Sequence, residues 1–77
     1  MKLADRIEMN PNVMNGKPII KGTRITVELI LKKMGEGAGV EDLLKAYPHL
    51  EREDIQAVFE YAARTHADEE LIESAGG

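Results

Sequence analysis

The stretch VEDLLKAYPHLEREDIQAVFEYAAR, residues 40–64, decides the fold. Val40, Leu43, Leu44 and Tyr47 recur at i, i+3, i+4 and i+7, which places them on one face of a helix. Pro48 ends that helix, because its ring pushes the preceding residue out of helical geometry. After Pro48-His49-Leu50 the period resumes. Ile55, Val58, Phe59 and Ala62 form the apolar stripe of a helix running from about Arg52 to Thr65, and His66 continues it. Two helices, about 40–47 and 52–65, joined by a tight turn have the dimensions of a helix-turn-helix. Leu50 sits where it would plug the turn against the core.

Toward the N-terminus, a further helix is expected from about Val27 to Met34. Thr26 is its N-cap, since a hydroxyl there accepts from an unpaired backbone N–H of the first turn. Glu28 in the first turn and Lys32-Lys33 in the last suit the helix dipole, and Gly35 and Gly37 end it. Val27, Ile30, Leu31 and Met34 share one face, while Leu29 points to the other side. Gly39 is the expected cap of the next helix. Ahead of Thr26 the chain is expected to be non-helical. Asn10-Pro11-Asn12, Asn15-Gly16 and Gly22 break it into short extended pieces at Arg6 to Met9, Pro18 to Ile20 and Thr23 to Ile25. Asn15-Gly16 can take the positive φ angles of a turn.

The fold class read from these patterns is mainly α: a three-helix helix-turn-helix cluster with a short N-terminal β-ribbon. Residues 1–66 form one domain, with the ribbon over about 1–26, and residues 67–77 an acidic tail whose end should fray. The side chains expected to be most buried are Ile30, Leu31, Leu43, Leu44, Ile55, Val58, Phe59 and Ala62.

Composition narrows the function classes. A chain of 77 residues without cysteine has neither disulfides nor thiolate metal sites. His49 and His66 are its only imidazoles, too few for a nitrogen-ligated zinc site. No metal or cofactor is expected. Nor is an enzyme, since no nucleophile–base pair and no metal constellation can be assembled. No apolar run reaches the ~18 residues of a membrane span, and the first residues lack a signal-peptide core, so the cytoplasm is the expected location. The net charge of −4 conceals a division: residues 1–35 carry a balance of +4 and residues 36–77 one of −8. An acidic total disfavours non-specific nucleic-acid coating, which depends on phosphate neutralisation. A basic patch in the first half remains available for local contacts.

Gly16-Lys17-Pro18-Ile19-Ile20-Lys21-Gly22-Thr23-Arg24-Ile25 resembles the hallmark of the domain of unknown function 433. The similarity continues through Val27-Glu28-Leu29-Ile30-Leu31, Tyr47-Pro48-His49-Leu50, Asp54-Ile55-Gln56-Ala57 and Tyr61-Ala62-Ala63, and so spans about residues 5–64. The resemblance implies a homeodomain-like helix-turn-helix fold. It also implies an antitoxin-like role in a bacterial type II toxin–antitoxin system, with a PIN-like ribonuclease toxin as partner and operator DNA as a further one. Relatives often carry Ser or Thr before the second and third helices, where this chain has Gly39 and Glu51, which are weaker caps.

Candidate contacts for nucleic acid or a protein partner are Lys17, Lys21 and Arg24 in the ribbon and Arg52, Gln56 and Arg64 on the third helix. On that helix Glu51, Glu53, Asp54 and Glu60 would repel a phosphate backbone, so the ribbon is the better electrostatic candidate. The ribbon motif also reads as structure: glycines for bends, isoleucines for packing, and Thr23 bonding locally. A small chain without disulfide or metal leans on a partner subunit, so a homodimer is expected, built from Ile7, Met9, Ile19, Ile20, Ile25 and Leu29. Three functions compete: antitoxin, stand-alone DNA-binding regulator, and dimeric scaffold without DNA binding. In the first of these, the acidic tail would cover a basic rim on the ribonuclease.

Overall fold

A computed structural model describes residues 3–65. The His66 position and the acidic tail lie outside the described residues. A 3-10 turn over Leu3–Arg6 leads into strand β1 (Ile7–Met9), which pairs antiparallel with β2 (Pro18–Ile20). Three helices follow: α1 (Val27–Gly35), α2 (Val40–Ala46) and α3 (Arg52–Thr65). The mainly helical cluster with an N-terminal ribbon is therefore as the periodicities indicate. One local difference is the opening turn, since the first quarter was expected to be wholly non-helical. Arg6 explains it: its guanidinium reaches across to α3 and holds the turn against that helix.

The helix starts follow from their caps. The Thr26 hydroxyl accepts from Leu29 N–H at 3.0 Å. Gly39 has no side chain to cap with, but its own N–H donates to Asp42 Oδ2 at 2.8 Å. Glu51 N–H donates to Asp54 Oδ2 at 2.9 Å in the same way. An aspartate at the third helical position thus supplies half of a capping box, and this compensates for the missing Ser or Thr at both starts. Within the connection from β1 to β2, Asn15 and Gly16 do take positive φ, 58° and 79°. They belong to a second 3-10 turn, Met14–Gly16, inside a connection spanning residues 10–17.

Ile20, Val27, Ile30, Leu43, Leu50, Ile55 and Val58 form the core. Leu50 plugs the turn as its position suggests. Leu31, Leu44 and Ala62 are half-buried at the margin. Phe59 is a correction: it was expected inside and is 46% exposed. The buried residues of α3 are Asp54, Ile55, Ala57 and Val58. The inward face is therefore rotated away from Phe59, by roughly 60° at about 100° per residue. The opening 3-10 turn packs on α3 and is tied to Asp54 through Arg6, so the side of α3 bearing Asp54 turns inward and Phe59 does not.

Candidate functional site

The loop between β2 and α1 carries the basic residues singled out from the sequence. Gly22 has a φ of 79°, a value that side-chain-bearing residues rarely adopt. Thr23 locks the bend: its hydroxyl donates to Ile20 O at 2.8 Å and accepts from Ile25 N–H at 3.0 Å. Lys21 and Arg24 are consequently held out into solvent, with no side-chain partner among the described residues. The loop lies against the α2–α3 turn. Thr23 and His49 line both a polar cleft of 250 Å³ with Lys21, Arg6, Glu51 and Asp54, and an apolar one of 290 Å³ with Ile25, Tyr47 and Pro48. The two motifs most distinctive in the sequence thus meet in space.

The other candidate cations are elsewhere and are neutralised. Lys17 stands at the opposite end of β2 from Lys21, with Nζ 3.5 Å from the Glu28 carboxylate. Arg52 pairs with Glu41, and Arg64 with Glu60 at 2.7 Å. Gln56 is exposed on α3 without a cation beside it that is free of a carboxylate. The six candidate contacts therefore do not form one surface. Of the five cations among them, Lys21 and Arg24 are the two that make no ion pair among the described residues.

A partly buried ionic tie lies at the foot of the polar cleft. Arg6 Nη1 donates to Glu51 Oε1 at 2.8 Å and to Asp54 Oδ1 at 2.9 Å. Asp54 is 6% exposed and simultaneously caps α3 through its other oxygen. The hydrogen bond to Glu51 first, then that to Asp54, raises the Arg6 pKa above its ordinary value. The guanidinium stays charged throughout the accessible pH range, so the cationic half of the tie is constant.

Two apolar grooves flank Tyr61. One, of 230 Å³, runs between Ile7, Glu8 and Met9 of β1 and Ala57, Glu60, Tyr61 and Arg64 of α3. The other, of 290 Å³, lies between Pro18 at the start of β2 and Val27 and Leu31 of α1. Met9, 60% exposed, overhangs the first. Neither groove is legible from the periodicities alone. The available signal was Tyr61, three residues after Val58 and so on the inward face once that face is rotated off Phe59.

The expected dimer surface is also altered. Ile19 and Ile20 are buried within the chain itself, at 1% and 3% exposure. Ile20 packs in the core, and the strand holding both is bonded on each side, to β1 and to the Ile25–Thr26 segment. The small cluster does absorb these ribbon side chains, contrary to the expectation. Of the expected interface set, Met9 is exposed and Ile7, Ile25 and Leu29 are half-buried.

A family model described as a protein of unknown function, DUF433, matches residues 7–62. The chain belongs to the DUF433 family. A crystal structure of a DUF433 member from Anabaena variabilis is similar at a TM-score of 0.74 and 31% identity, over 91% of this chain and 68% of that one. The uncharacterized protein y4eO of Sinorhizobium fredii is 32% identical over 56 residues, 73% of this chain. This DUF433 chain spans 25% of that relative's length. Among the described residues no helix is long and apolar enough to cross a membrane, and no group of acidic, His or Cys side chains is placed to hold a metal ion.

Proposed function

We propose that this DUF433 domain is a protein-binding module of antitoxin type, whose partner is a PIN-like ribonuclease. The observation that carries the binding role is the pair of apolar grooves meeting at Tyr61, with Met9 exposed above one of them. Exposed apolar surface beside a concave wall is what a protein partner covers. The identity of the partner comes from the family resemblance. Co-purification with the product of the adjacent gene tests it. Wild-type protein should retain and inhibit the nuclease, and Met9→Asp should weaken retention at least tenfold. Failure of the wild type to bind any adjacent-encoded nuclease would remove the antitoxin role.

A second reading is contact with operator DNA, favoured by one observation: Lys21 and Arg24 are exposed in the loop that meets the helix-turn-helix turn and make no ion pair among the described residues. The cations of α3 give it less support, because both are already paired with glutamates. Phosphate contacts by a loop orient a domain but do not read sequence. Lys21→Ala with Arg24→Ala should therefore weaken binding to the promoter and to random duplex alike, and lower the salt dependence.

A further inference from the structure

We propose that the edge of β1 away from β2 captures an extended segment of a partner protein. A Lys or Arg of that segment lies across from Glu8, and its two apolar neighbours enter the groove against Tyr61. This inference rests on the partner-binding reading above and names how the partner is held.

The ladder identifies the edge. Ile20 N–H donates to Ile25 O at 2.8 Å, away from β1, while Lys21 N–H donates to Arg6 O at 2.7 Å, toward it. Hydrogen-bonded and non-hydrogen-bonded pairs alternate along an antiparallel ladder. Ile7↔Ile20 and Met9↔Pro18 are therefore the non-hydrogen-bonded pairs. The N–H and C=O groups of Ile7 and Met9 point out of the ribbon, on the side away from β2. Among the described residues no backbone hydrogen bond joins them to another segment. Unpaired edge groups of this kind invite strand addition.

The surroundings select the incoming side chains. Residues placed opposite Ile7 and Met9 would share the face of those two side chains, and the groove between β1 and α3 receives apolar groups there. The residue between them would share the face of Glu8. Opposite charges directly across a ladder attract, and like charges repel. The Glu8 carboxylate, 3.5 Å from Gly22 N–H on one oxygen, thus favours a cation. Backbone bonds with alternating side-chain specificity are the usual terms of such capture.

A second copy of this chain fits the edge poorly. Only a two-fold arrangement about Glu8 engages both Ile7 and Met9, and it opposes Glu8 to the same carboxylate of the other copy. Centring on Ile7 runs the ladder into the 3-10 turn that ends at Arg6. Centring on Met9 brings Ile7 opposite Pro11, which has no N–H to give.

The test is an NMR titration of the full chain with a capped pentapeptide, TVKVT, a TVEVT control, and TVKVT N-methylated at both valines. TVKVT should shift the Ile7 and Met9 amides and the Tyr61 ring saturably. TVEVT should bind roughly three- to tenfold more weakly, the preference should reverse in Glu8→Lys, and the methylated peptide should not bind. The proposal is overturned by shifts confined to other residues, by the absence of any shift, or by an unchanged preference in Glu8→Lys. Concentration-dependent protection of the Ile7 and Met9 amides without peptide overturns it too, since a second copy would then hold the edge. An adjacent-encoded nuclease that binds wild type and Glu8→Lys equally removes β1 as the site and leaves the antitoxin reading standing. Peptide capture without any nuclease binding does the reverse.

Discussion

The two halves of α3 carry similar apolar side chains and have different surroundings. In the first half, Asp54, Ile55, Ala57 and Val58 are all buried, and Asp54 is tied both to Arg6 and to the helix start. In the second half, Phe59 is exposed, Tyr61 and Ala62 are half-buried, and the groove walls open toward solvent. One helix therefore serves as core along its first two turns and as surface beyond them. The difference arises in what lies opposite. The N-terminal turn is tied to the first half through Arg6 and Asp54, while Tyr61 in the second half faces β1 and α1 only across open grooves. A small domain has too few elements to cover a fourteen-residue helix along its length, and the uncovered part is where a partner can gain apolar contact.

Truncations along α3 should reproduce this division. The largest loss is expected at Ile55→Ala, because the side chain is fully enclosed and a cavity would remain; about 2–5 kcal/mol should disappear from the unfolding free energy in a urea titration. A value near zero would mean that the first half of α3 is no better packed than the second.

Asp54→Ala should follow, at about 2–3 kcal/mol, combining a lost cap with the loss of the Arg6–Asp54 ion pair. The same variant should raise amide exchange in the opening 3-10 turn, since the tether between that turn and α3 is weakened. Loss of stability without faster exchange there would show that Asp54 acts only as a cap.

Phe59→Ala should be the mildest, below about 1 kcal/mol, because a half-exposed ring loses little contact on truncation. A cost of several kcal/mol would place the ring inside in solution, in a self-associated state that light scattering would detect.

Much of this was legible in local pattern. Spacing placed α2 and α3, Pro48 marked the break, Thr26 capped α1, and Leu50 filled the turn, because each depends on residues within a few positions of one another. The paired aspartates at the third helical positions, Asp42 and Asp54, were equally local, though their capping role was not read.

The sequence by itself therefore determined the three helices, their ends, the two strands of the ribbon, and membership of the family, all of which follow from short-range backbone chemistry and from ordered motifs. Tertiary structure alone decided which side of α3 turns inward, that Ile19 and Ile20 are buried within the chain, and that Lys17 is separated from Lys21 and Arg24. Each of those outcomes depends on a contact between distant positions. The foremost is Arg6 on Asp54, 48 residues apart. A helical wheel shows which residues share a face, but not which neighbour will arrive to cover it.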